Sequence, residues 1–129
     1  FVSPGKIAKE QAELIVCVEI PLQKGRLASF HRIGGHTHHI ISKVCGALAA
    51  RVVDGVLRDV RLAFGSVGPT TLRTRRVESL LEGAKLEVTP EIVAALKDSI
   101  TPISDVRSTA DYRHDAAASV LRLLLARLA

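Results

Sequence analysis

Three histidines, His36, His38 and His39, fall within four residues, and His31 stands shortly before them. Imidazole is the commonest metal-binding side chain, so this cluster is the first place to look for chemistry. Its spacing argues against a metal. In an extended segment His36 and His38 share one side while His39 points away, so at most two of them reach one ion. No Cys, Asp or Glu within the cluster completes a ligand set, and no native metal site is expected. A nucleophilic triad has no support either. No serine has a G-x-S-x-G setting, and no spacing groups a Ser, a His and an Asp. Neither Gly34-Gly35 nor the GSVG run leads into a strand-to-helix phosphate fingerprint. The chain is expected to hold no catalytic site of its own.

Something other than catalysis must then organise these residues. The net charge of +5 permits an acidic partner or nucleic acid. The basic residues are scattered, however, and the densest group (Arg73, Arg75, Arg76) has no aromatic platform beside it. It reads as a solvated helix start, and no nucleic-acid partner is expected. At 129 residues the chain is one domain by length, spanning 1–129. Aromatics make up only 3% of it, so its core must be aliphatic. No apolar run approaches ~20 residues, which excludes a helical membrane span, and no basic-then-apolar leader opens the chain. Cys17 and Cys45 lack CxxC spacing and lie in apolar strand patterns. They read as small core residues in a reducing compartment, and a cytoplasmic location is expected. The sequence has no Met and starts with Phe, so a piece of a longer polypeptide is expected.

The strongest single element is the end of the chain. Residues 102–128 show helical periodicity, with Tyr112, Ala116, Ala117, Val120, Leu121, Leu123, Leu124 and Leu128 on one side. Asp111, His114, Asp115, Ser119 and Arg122 take the other side. Ser108 precedes Asp111 by three residues, a capping-box spacing with the shorter acid. Arg113 falls on the apolar side, so it must be paired, with Asp105 or Glu78 as the candidates. Upstream, residues 13–20 alternate as a strand ended by Pro21, and residues 27–33 make a second. Residues 40–53 and 57–64 flank Asp54-Gly55, a strong hairpin signal. A short helix over 74–82 stops at Gly83. Thr89-Pro90 caps another that runs to about Ser99. Strands first and helices afterwards predict an α+β fold: an antiparallel sheet of three to four strands covered on one face by about three helices, a two-layer sandwich.

Four stretches together carry a family resemblance that covers nearly the whole chain. They are AELIVCVEIP, the SF-HR to HHIISKVCGALAARVVDG region, DVRLAFGSVGPTTLRTRRVESLLEG, and PISDVRSTADYRHDAAASVLRLLL. The third is similar to a D-x-R-h-A-h-G-G-V-x-P-x-x-x-R pattern followed by E-x-x-L-x-G. The fourth is similar to a P-x-x-D-x-R-x-S-x-x-Y-R ending. In this order they resemble the C-terminal domain of the FAD-binding subunit of molybdenum hydroxylases, the xanthine dehydrogenase and carbon monoxide dehydrogenase family.

The resemblance implies an accessory domain of a flavin-containing oxidoreductase subunit, not catalytic in isolation. It would close over FAD held mainly by upstream domains and help electrons pass from iron–sulfur centres to NAD or another acceptor. Iron–sulfur and molybdopterin subunits are the implied partners, and self-association stays open. Ile15 and His31 match residues that contact FAD, the latter at a position where the family usually has Lys or Arg. Residues 36–40, with His38 among them, match a loop near the isoalloxazine edge where the family commonly has Arg and Asp. Asp105, Arg107, Tyr112 and Arg113 match the ending motif and read as structural. The alternative is a non-catalytic interaction or dimerisation module that has lost the flavin role, suggested by the loop's missing charges.

Overall fold

A computed structural model describes residues 1–35 and 41–129. Strands β1 (Leu27–Ile33), β2 (Val44–Val53), β3 (Val56–Gly65) and β4 (Leu72–Arg73) form one antiparallel sheet in the order β1-β2-β3-β4. Helices α1 (Arg75–Leu81), α2 (Pro90–Ser99) and α3 (Ala110–Ala126) follow. α3 lies over β2 and β1, α1 lies over β3, and α2 packs against both helices. This is the α+β sandwich expected from the sequence.

The alternation of β2 decides which face is covered. Val44, Gly46, Leu48 and Ala50 are buried beneath the helices, while Ala47 and Arg51 between them point outward. Val60, Leu62 and Phe64 do the same on β3 and meet Val120, Leu121 and Leu124 of α3 in one aliphatic core. Gly46 is needed where the layers come closest. A Cβ there would lie 2.8 Å from Val120 Cγ1 and 3.0 Å from Phe64 Cε1.

The turn between β2 and β3 falls where the Asp-Gly signal put it. Asp54 and Gly55 both have positive φ, 51° and 75°, as a two-residue type I′ hairpin requires. Away from the turn, the register of β2 against β3 shifts between Ala49 and Arg51, and Asp59 opposite this shift has φ 54°. This is a β-bulge, and it frees two amides. The Glu82 carboxylate takes both, accepting from Asp59 N and Val60 N at 3.0 Å each. Glu78, one turn earlier, accepts from Leu62 N at 2.7 Å. β4 pairs only with Ala63 and Phe64, so the carboxylates of Glu78 in α1 and Glu82 at its C-cap substitute for a longer edge strand.

The caps follow the sequence in one helix and depart from it in another. Thr89 Oγ1 accepts from Ile92 N, with Pro90 in the first turn. For α3 the N-cap is Thr109, which accepts from Tyr112 N at 3.2 Å, in place of the expected Ser108. Ser108 is taken up instead by a tight turn, its amide and carbonyl both bonded to Asp105. Tyr112 and Leu123, expected on the apolar side of α3, are each nearly half exposed.

The expected strand over residues 13–20 does not form. Leu14, Val16, Val18 and Ile20 are each about 80% exposed. The alternation is real, but a strand with apolar residues on both faces needs a paired edge and cover on each side. The described residues supply neither. Cys17 accordingly is exposed and not a core residue, and Cys45 is half-buried on the outward side of β2.

Candidate functional site

β1 places His31. It stands directly opposite Gly46, which points to the helix side, so His31 lies on that side near the end of the edge strand. It is half-buried. The outer edge of β1 is held beside it by Arg127, whose Nη1 donates to the Phe30 carbonyl at 2.7 Å. Ile15 is 68% exposed in the irregular segment before β1, and no strand pairing connects that segment to β1. His38 lies outside the described residues. Among the described residues, no strand pairing brings Ile15 beside His31.

The structure does gather a different set. Arg113, in the first turn of α3, is 4% exposed. Its Nη2 donates to Asp105 Oδ1 at 2.8 Å, and its Nη1 donates to the carbonyls of Lys43 and Ser66 at 2.5 and 3.0 Å. One guanidinium thus ties three loops together: the one entering β2, the one leaving β3, and the one before α3. The expected pairing with Asp105 holds. The other candidate, Glu78, is bonded to Arg73 at 2.7 and 3.0 Å.

Asp105 collects further donors, the amides of Arg107 and Ser108 and the Arg107 guanidinium. The Arg107 amide above all, with the Arg113 guanidinium and the Ser108 amide, outweighs desolvation and lowers its carboxyl to about 2. For Glu78 burial alone would raise the carboxyl, but the Arg73 guanidinium and the Leu62 amide hold it below the usual value.

Around the Arg113 junction lies a cleft of about 630 Å³, lined among others by Ile41, Ser42, Ser66, Thr101, Asp105 and Arg107. Two of its lining residues, Ile41 and Ser42, follow residues 36–40 in the sequence. Its polar lining can accept or donate hydrogen bonds. Neither a histidine nor a cysteine among the described residues lines the cleft. Among the described residues no group of His, Cys, Asp and Glu could hold a metal ion. Sequence reasoning found Arg113 and Asp105 but missed Ser42 and Thr101, which carry no spacing signal and meet only through the fold.

This geometry can be set beside known proteins. The description of the CO dehydrogenase flavoprotein C-terminal domain matches residues 30–128. The chain belongs to that family. The match starts at β1 and ends after α3, so it takes in the sheet, all three helices and the Arg113 junction, and leaves residues 13–20 outside. Relatives of this flavoprotein-domain family share modest identity with the chain. An Escherichia coli xanthine dehydrogenase FAD-binding subunit is 28% identical over 114 residues, covering 85% of this chain and 39% of the relative. The glyceraldehyde dehydrogenase medium chain of Sulfolobus acidocaldarius is 25% identical over 118 residues, covering 89% and 41%. The chain therefore spans about two fifths of the length of these relatives. Among solved structures, a cyanide-inactivated Cu,Mo-CO dehydrogenase superposes with a TM-score of 0.74 at 22% identity, over 84% of this chain and 38% of that one. The carbon monoxide dehydrogenase of Hydrogenophaga pseudoflava gives 0.72 at 24%, over 81% and 37%. At these identities the superpositions establish the fold. No helix among the described residues is long and apolar enough to cross a membrane.

Proposed function

We propose that this chain is the accessory domain of an FAD-binding oxidoreductase subunit, closing over a flavin held mainly by the rest of that subunit. The observation that carries this reading is the family match over residues 30–128, which takes in all three helices and the sheet from Phe30 onward. When bound, FAD would supply electron transfer from iron–sulfur centres of a partner subunit to an acceptor, with a molybdenum subunit oxidising the substrate.

The residues present fit one margin of a flavin and not its whole cradle. None of the three helices is entered by a glycine-rich turn that could seat a pyrophosphate. α1, α2 and α3 are preceded by Arg73-Thr74, Val88-Thr89 and Ser108-Thr109. Under this reading the phosphates are held elsewhere in the subunit, and this chain's part is to shield and orient. His31 would present a polar contact from the end of β1, with Arg127 fixing the strand edge beside it. Ile15 would add an apolar contact once residues 13–20 pair with a strand supplied by the rest of the subunit. That pairing would bury the side chains that stand exposed here. His38 would act from the loop ahead of Ile41.

The test is an FAD titration of the chain alone and of the intact flavoprotein, with His31→Ala as the variant. Flavin retention by the intact flavoprotein, weakened by His31→Ala, supports the proposal. An intact flavoprotein that retains no flavin refutes it and leaves the second reading, an interaction module. That reading is favoured by the sheet face that no helix or strand covers among the described residues.

A further inference from the structure

Among the described residues, no helix or strand covers the side of the sheet away from the helices. The register puts Ala28, Phe30 and Arg32 of β1, Cys45, Ala47, Ala49 and Arg51 of β2, and Arg61 and Ala63 of β3 on that side, with Arg73 of β4 at its edge. A solvated antiparallel face ordinarily alternates to polar residues. This one is floored by alanine, with Phe30 57% exposed, around a hollow of about 350 Å³.

Its margin is cationic. Arg61 is partnered by Asp59, and Arg73 by Glu78. Arg32, Arg51 and Arg58 are exposed, and none is in an ion pair among the described residues. Arg51 and Arg58 are direct cross-strand neighbours. Like charges placed opposite each other destabilise a sheet unless an anion comes between them. An apolar centre with unmatched arginines at its rim is complementary to an apolar surface bordered by carboxylates.

We propose that this uncovered face docks an acidic polypeptide surface, contributed by the FAD-holding part of the same flavoprotein. The identity of that partner rests on the function proposed above. A second copy of this chain is disfavoured, because a two-fold contact through this face would set arginine against arginine. Nucleic acid is disfavoured because one aromatic, Phe30, gives no row of stacking platforms. The small floor suits a protein element whose backbone approaches closely.

Cys45 lies on this face, so its alkylation rate, followed by peptide mass mapping, reports cover. In the intact flavoprotein it should react at least about tenfold more slowly than in the 129-residue chain. Raising the salt concentration should speed it in the intact protein alone. Arg51→Glu together with Arg58→Glu should restore the fast rate, whereas Arg122→Glu, on the exposed side of α3, should not. Equal rates in the two proteins overturn the proposal, as does protection insensitive to both salt and charge reversal. Protection of the isolated chain by an RNA oligonucleotide overturns it in favour of nucleic acid. Flavin content measured on the same samples separates the two readings. Protection without flavin keeps the docking and removes the FAD role; exposed Cys45 in a flavin-loaded protein removes the docking alone.

Discussion

Arg113 and Asp105 meet at 2.8 Å at the start of α3, and through that pair the helix is fastened to both ends of the sheet's central hairpin. The guanidinium is buried, its charge is balanced by one carboxylate, and two backbone carbonyls accept from its Nη1. Replacement by an aliphatic residue leaves the Lys43 and Ser66 carbonyls without their donor. Arg113→Ala is expected to destabilise the domain by about 2–3 kcal/mol. Arg113→Lys should recover little of this, because an ammonium cannot span three acceptors in the plane of a fork. Denaturant unfolding of the three proteins measures both effects.

Acid should loosen the same junction. The Asp105 carboxyl is lowered from 3.8 to about 2 in the folded chain. Its contribution is therefore fully present above about pH 5 and is lost as the pH falls through the interval from 3.8 to about 2. Glu78 is shifted in the same direction and adds to the loss. Asp105→Asn should flatten the fall of Tm with pH over that interval. An unchanged slope in the variant would show that the junction does not control acid stability.

The bulge in β3 depends on a side chain from outside the sheet. Glu82→Ala removes the acceptor from Asp59 N and Val60 N and should cost about 1–2 kcal/mol. Amide hydrogen exchange at Asp59 and Val60 should accelerate much more than at Leu48. Glu82→Gln, which keeps one carbonyl acceptor, should fall between the two.

Contact between the layers limits what residue 46 can be. Gly46→Ala drives a methyl against Val120, Phe64 and Leu124 at 2.8 to 3.1 Å and should destabilise by about 1–3 kcal/mol. The paired change Gly46→Ala with Val120→Ala should recover part of that loss, as a thermal melt of both proteins would show.

Local rules with a single physical cause could be read from the sequence. Asp54-Gly55 made the hairpin because Asp and Gly tolerate the two successive positive φ angles that the turn requires. Thr89-Pro90 capped α2, and Arg113 on an apolar face required Asp105. Features that depend on distant elements could not be read in this way. Residues 13–20 alternate like a strand, yet alternation does not say whether a partner strand is present. Nothing around Asp59 announces a bulge whose amides are satisfied by Glu82, 23 residues later. The same holds for the open sheet face. Its arginines are spread from Arg32 to Arg73, and only the register of four strands brings them to one side. As for Ile15 and His31, their assignment as flavin contacts rests on the family resemblance, which no spacing within this chain supplies.

The visible absorbance of the intact flavoprotein, compared with that of this chain alone after incubation with FAD, tests the central claim most directly. The account predicts flavin bands in the intact protein, little retention by the chain alone, and reduced retention after His31→Ala. Full flavin binding by the isolated chain would contradict the shared-cradle assignment, and a colourless intact protein that takes up no FAD would contradict the flavin role altogether.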